Sequence, residues 1–426
     1  MIRQIVVVLL LALLAGTIGA VSCRERTEAV QRPEKIYSKR EVVYDKETYQ
    51  KLADLWKEYY EVYPSENAYA NWMYAARYAG DENYEKLLEK GVKQYPVNPT
   101  LPYLKSMVGH GKRDDIEGQR LLEEASRQDP SYMDPWFGLV IHYYQQEDQE
   151  RMNLALRTIL EAGAIADEVM DYSYNMIACL EKDAVLVTNG DNDTYPGWVL
   201  RHVINYRPDV RIVNRSLLNT DWYAQVLMND GVPAFISPQE HDDLREAILR
   251  EIKEQKAAIP PGGPFSDPLL ERLIEACKKA GRPVYFAATL MRSDVVEKYG
   301  ESGRGLGLVT LVTPPAVSDR SQLKSVLEVW LKEFRTSGMD SWELRHAKKS
   351  RAGKMLMYNY PAALDSQMDR ILVDARDYRL DLFHWYQDHA LELVPDKHRE
   401  EMNRMWCRSD DIPEIKNWCR QRNLLD

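Results

Sequence analysis

Apolar residues recur at helical spacing from Asp45 to Gly163, with charged residues filling the positions between them. At Asp183 the texture changes. AVLVTNG (184–190) is a short Val-rich run, too short for a helix, and it ends in polar turn residues. An amphipathic stretch, GWVLRHVINY, follows and stops at Arg207-Pro208; then come a second strand-like run, VRIVNRSLL, and a helix, WYAQVLMND. HDDLREAILREIKEQKAA is a long predicted helix, and IPPGGP (259–264) breaks it. A helix near Leu269 to Ala280 leads into RPVYFAAT, the third strand, and LGLVTLV (306–312) is the fourth. Strands alternating with helices predict a parallel sheet with right-handed crossovers. Beyond Ser318 the pattern is helical to the end, with Trp330, Trp342, Trp385, Trp406 and Trp418 as its packing residues.

The first helical stretch repeats. EYYEVYPSEN, KGVKQYPVNP and ASRQDPSYMDP close alike, and their prolines Pro64, Pro96 and Pro130 stand 32 and 34 residues apart. A period near 34 closed by proline resembles tetratricopeptide helix pairs, which bury their apolar faces only by stacking on neighbours. The expected fold is therefore an α-helical tetratricopeptide-like solenoid, then an α/β domain with a small, mostly parallel sheet, then a helical C-terminal region. The expected bounds are 45–165, 183–317 and 318–426. Aromatic residues on the repeats serve as interhelical packing, or hold a peptide.

The N-terminus adds an address. Arg3 precedes the apolar run IVVVLLLALLAG, and small residues lead to Ala20-Val21-Ser22-Cys23. That order is a secretory signal peptide over 1–22, and the cysteine after small residues resembles the lipobox of bacterial lipoproteins, with Cys23 as the lipidated residue. The run is too short to span a bilayer, which takes about 20 apolar residues. Residues 23–44 read as a polar tether. Arg24 follows the cysteine, and in lipoproteins aspartate there favours inner-membrane retention; the resemblance implies an outer-membrane lipoprotein facing the periplasm, attached through lipid alone. A net charge of −10 gives no support for nucleic-acid binding. Cys179, Cys277, Cys407 and Cys419 form no CxxC pair; an oxidising compartment permits a Cys407–Cys419 disulfide, and buried free thiols are the alternative.

Candidate chemistry gathers beyond the carboxyl ends of the strands, where parallel sheets bind ligands. The first loop offers Asn189, Gly190, Asp191, Asn192, Asp193 and Thr194; the second offers Asn214, Ser216, Asn219, Thr220 and Asp221; the third adds Thr289 and Arg292. Three carboxylates among amides and hydroxyls suit Mg²⁺, Mn²⁺ or Ca²⁺, or sugar hydroxyls. The first expectation is structural: Asp193-Thr194 and Thr220-Asp221 precede helices and read as N-caps. Asp191-Asn192-Asp193 matches a glycosyltransferase DxD site formally, and the paired aspartates lack the later acidic motif of a haloacid-dehalogenase phosphatase. GESGRGLG (300–307) lies after a helix and before a strand, the reverse of a dinucleotide loop, and reads as a turn. HExxH and GxSxG are absent from the sequence.

TNGDNDTYPGW followed by RPDVRIVNRSLLNTDWY, within a similarity that spans about 184–223, resembles the soluble tail of a bacterial family of multi-spanning membrane proteins related to protein O-mannosyltransferases; RPVYFAAT resembles the tail's next block. In that family transferase chemistry belongs to the membrane module, so the resemblance implies an accessory domain and carries over no catalytic residue. The functional expectation is a non-catalytic, lipid-anchored scaffold, with a protein partner on the repeats and a glycan or second partner at the α/β loops. The alternative is a metal-dependent enzyme acting on a glycan or phosphate ester through Asp191, Asp193 and Asp221, with a divalent cation as its cofactor.

Overall fold

The computed structural model describes residues 30–40, 42, 44–108, 115–255, 259–260, 262–313, 318–341, 351–408 and 412–424. The stretch expected to be a signal peptide (1–22), Cys23 and Trp342 lie outside the described residues. The chain forms two compact units: residues up to Ile36 with Asp45–Pro96, and Tyr37–Tyr44 with Val97–Asp426.

The smaller unit contains α1 (Lys46–Val62), α2 (Glu66–Ala79) and α3 (Tyr84–Gln94). Asp45 caps α1 by accepting the Thr48 N–H at 2.7 Å, and Ser65 caps α2 through the Ala68 N–H. Tyr49, Ala53 and Trp56, spaced four and three apart, form the buried stripe of α1. The Trp56 indole N–H donates to the Glu34 carbonyl, which seats the N-terminal segment. Helix α2 ends at Gly80, whose φ of +79° suits glycine. At Gly91, α3 leaves no room: an added Cβ would lie 2.3 Å from the Tyr69 ring.

In the larger unit the first helices are α4 (Thr100–Ser106), α5 (Ile116–Gln128), α6 (Asp134–Gln145), α7 (Gln149–Glu161) and α8 (Asp167–Ala178). Consecutive helices from α4 to α7 pack on one another, and an array of this kind is consistent with a solenoid. Next come β1 (Val185–Thr188), α9 (Asp191–Trp198), β2 (Arg211–Asn214), α10 (Tyr223–Asn229), α11 (Pro238–Gln255), α12 (Ser266–Lys279), β3 (Val284–Ala287) and α13 (Asp294–Glu301). β1 and β3 are buried at every residue, as befits strands covered on both faces.

The sheet departs from the expected mostly parallel one. Its order is β2-β1-β3-β5-β4, where β4 is Arg304–Leu306 and β5 is Val309–Leu311. β1 runs parallel to β2 and β3, whereas β5 is antiparallel to both β3 and β4. LGLVTLV is thus not one strand, and GESGRGLG is not only a turn, since β4 begins inside it. The reason is Gly307, at φ +63°, which lets the run double back as a hairpin. The Gln367 side chain fixes that turn, accepting from the Gly307 N–H and donating to its carbonyl, both at 3.0 Å.

The remaining described chain is helical: α14 (Asp319–Glu333), α15 (Arg351–Met357), α16 (Asn359–Asp374), α17 (Arg379–Trp385), α18 (Asp396–Arg404) and α19 (Pro413–Gln421). Trp330 packs edge-on against Trp385 at 5.2 Å, and Phe383 contacts both Trp406 and Trp418. Cys407 and Cys419 form a disulfide that ties α19 to the preceding turn, while Cys179 and Cys277 are buried thiols. No helix among the described residues is long and apolar enough to cross a membrane.

Candidate functional site

Because β1 lies between β2 and β3, the loops that follow all three strands meet at one edge. Asn189 joins them: its side-chain oxygen accepts the Met291 N–H at 3.0 Å, and its carbonyl accepts the Ser216 hydroxyl at 2.8 Å. Asp193 is the deepest acid, 3% exposed. Its carboxylate accepts the N–H groups of Asn189 (2.8 Å) and Gly190 (2.9 Å), and the Thr289 hydroxyl donates to it from the end of β3. Burial pushes the Asp193 carboxyl up from its ordinary value, and these donors oppose that shift.

Thr194 is fully buried. Its hydroxyl lies 2.7 Å from that of Thr188 and accepts from the Asn214 amide at 3.0 Å, which ties β1, α9 and β2 together. Asn214 in turn accepts the Leu217 N–H and donates its own N–H to the Tyr223 hydroxyl. Asn219 points away from this cluster to the start of α12. Its oxygen accepts the N–H groups of Phe265 and Ser266, and its amide donates to the carbonyls of Ser216 and Gly262.

Neither pair expected to cap a helix occupies a cap position, and only Asp193 bonds a helix start. The residue at the cap of α9 is Gly190, with Asp193 reaching back from the third helical position, and α10 begins after Trp222 without a side-chain cap. Thr194 is an internal tie between strands, and the Thr220 hydroxyl donates to the Leu217 carbonyl.

The other two acids face elsewhere. Asp191 and Asn192 are exposed, and Asp191 pairs with Arg40. Asp221 is half-buried and lines a pocket with Gln225, Ser237, His241 and Asp242. Among the described residues no group of three or more His, Cys, Asp or Glu side chains is placed to hold a metal ion. The structure therefore gathers Asn189, Asp193 and Thr289 into one bonded cluster, places Thr194 beside it in a second with Thr188 and Asn214, and leaves Asp191, Asn192, Asn219 and Asp221 outside both.

Two further features were not foreseen from the sequence. Arg215, 3% exposed, bonds to Asp267 at 2.6 Å and to the Met291 carbonyl at 2.9 Å. Arg40, from the segment read as tether, reaches Asp191 and also lies 3.7 Å from Asp134.

Residues 169–255 match the family model of TMEM260-associated domain 2. That stretch holds β1, β2 and helices α9 to α11, with the rim from Asn189 to Asp221, and stops before Thr289. The match loosely relates this part of the chain to a TMEM260 and O-mannosyltransferase-like family. No curated protein matches the chain.

Proposed function

We propose that this chain is a non-catalytic holder in the bacterial cell envelope. It is attached to the outer membrane by lipid on Cys23 and faces the periplasm. The helical array takes a protein partner, and the loops beyond the sheet take a glycan or a second partner. The observation that carries this reading is the commitment of Asp193: its two oxygens already serve two backbone N–H groups and the Thr289 hydroxyl. A catalytic or metal-binding carboxyl group directs an oxygen at substrate or ion; here the acid at the heart of the rim ties the loop after β1 to the loop after β3. The Cys407–Cys419 disulfide fits an oxidising compartment, which supports the envelope address.

Thermal melts of the purified chain with Mg²⁺, Mn²⁺ and Ca²⁺ test the reading. A bound cation at 100 times its dissociation constant stabilises by about 2.7 kcal/mol. The holder reading expects no shift. A shift abolished in Asp191→Ala/Asp221→Ala, which leaves the Asp193 cluster intact, replaces it with the metal-dependent enzyme. The anchor is tested separately: Cys23→Ser moves the chain from the membrane fraction to the soluble one.

A further inference from the structure

The segment Tyr37–Tyr44 belongs to the larger unit, although the chain on either side of it belongs to the smaller one. Its described residues form neither helix nor strand, so side chains do much of the holding. Ser38 donates its hydroxyl to Asp134 at 2.7 Å. The Arg40 guanidinium lies 4.2 Å over the Phe137 ring and 5.4 Å from the Tyr195 ring, pairs with Asp191, and stands 3.7 Å from Asp134.

We propose that Asp134, Asp191, Phe137 and Tyr195 form a guanidinium-binding site, filled here by the chain's own Arg40 and open to an arginine of an extended partner segment when this strap lifts. The inference goes beyond the holder reading by naming the chemistry of a partner.

The constellation is organised without help from the strap's backbone. Phe137 and Tyr195 meet edge to face at 4.9 Å, and the Tyr195 hydroxyl donates to the Phe137 carbonyl at 2.9 Å, so both rings keep their places. Asp134 is 4% exposed, and the Tyr132 hydroxyl donates to its second oxygen. Burial pushes the Asp134 carboxyl up and Arg40 holds it down; removing the cation leaves a buried carboxylate without its counter-charge. Asp191 flanks the site from the solvent side, at 53% side-chain exposure.

Two acids and two aromatic faces around one planar cation select arginine over lysine. A delocalised guanidinium lies over the rings while one N–H bonds Asp191 and its charge stands at ion-pair distance from Asp134; a compact, strongly hydrated ammonium does not do both. A segment held in this way is displaced by an equivalent one whenever the free ligand exceeds the strap's effective concentration.

The test uses full-length Arg40→Ala and wild type, melted with N-acetyl-arginine amide or N-acetyl-lysine amide. Arginine amide at roughly tens of millimolar, the range in which short tethers set local concentration, raises the Arg40→Ala midpoint. Lysine amide gives less than about a third of that rise, because the ammonium cannot lie over the rings and pair with the acids together. Wild type needs at least about tenfold more arginine amide for the same shift, because Arg40 competes from within. Adding Asp134→Asn to Arg40→Ala removes the response. An Arg40→Ala protein indifferent to arginine amide, or a wild type that responds at the same concentration, overturns the proposal. If Arg40→Ala does not fold alone, the readout is folded yield on refolding: recovery with arginine amide and not lysine amide supports the site, and recovery with neither or both overturns it. Any of these failures leaves the holder reading standing, since that reading is tested with divalent cations on the chain with Arg40 in place, whereas these melts vary arginine amide and turn on Arg40 and Asp134.

Discussion

Replacing Asp193 with alanine removes the acceptor of three donors at once. Two are backbone N–H groups, on Asn189 and Gly190, and the third is the Thr289 hydroxyl. A buried donor left unsatisfied costs about 1–3 kcal/mol, and bonds to a charged group sit at the upper end of hydrogen-bond strength. Two effects reduce the sum. Asn189 and Gly190 are only half-buried, so water reaches them when the carboxylate is gone, and the Thr289 hydroxyl can rotate to another acceptor. The carboxylate itself is also held out of water, which raises its pKa and offsets part of what its bonds contribute. A net loss of about 2–4 kcal/mol remains, a large share of a typical total of about 5–15 kcal/mol. In a domain of this size it lowers the melting midpoint by roughly 5–15 °C. Asp193→Asn refines the test. Its oxygen keeps one backbone N–H and its amide can donate to Thr289, but the second N–H meets a donor, so about half the loss is expected. Urea unfolding followed by tryptophan fluorescence reads both variants, with Trp198, fully buried at the end of α9, as a reporter in the same helix. An Asp193→Ala loss below about 1 kcal/mol refutes the view that this acid is a structural tie.

Three further outcomes are expected. Cys407→Ser/Cys419→Ser opens a crosslink between residues 12 apart in sequence, and the chain-entropy relation gives a loss of about 3 kcal/mol; the same midpoint shift should appear in wild type under reductant, and an unchanged midpoint in both contradicts it. Gly91→Ala drives a methyl into the Tyr69 ring and should destabilise the smaller unit by about 1–3 kcal/mol, read as faster proteolysis within residues 45–96. His202 is held down to about 4, by burial first and by the adjacent Arg201 second. The unfolded chain therefore takes up this proton before the folded one. Stability is fully present above the ordinary value of 6.5, and is lost as pH falls from there towards about 4. His202→Gln should flatten that slope, and an imidazole proton resonance titrating near 6.5 would contradict the assignment.

Much of the sheet was legible because strand and helix carry different periods. VLVT and VYFA are too short and too uniformly apolar for surface helices, and each is followed by a polar loop and a helix. The hairpin was not legible, since a Leu-Gly-Leu-Val run reads as one strand until the backbone shows Gly307 in the left-handed region. At the rim, the sequence signalled that oxygen-bearing side chains crowd the ends of three strands, and that Asp193 serves a helix start. It did not signal which acids share a cluster: Asp191 and Asp193 are two residues apart, but helical geometry sends one to solvent and the other into the core. Arg40 was illegible for another reason. A cation in a polar stretch reads as solvated, and its partner Asp191 is 151 residues away, so only the fold reveals the pairing.

The central claim is that the rim's buried acid is occupied with holding loops together. Native-state hydrogen exchange at the amides of Asn189 and Gly190 tests it most directly, because both N–H groups point at Asp193. The account predicts protection within about tenfold of the β1 amides, even though both residues sit in a loop. Exchange at nearly the rate of an unstructured peptide would mean a carboxylate free to serve a ligand, and would contradict it.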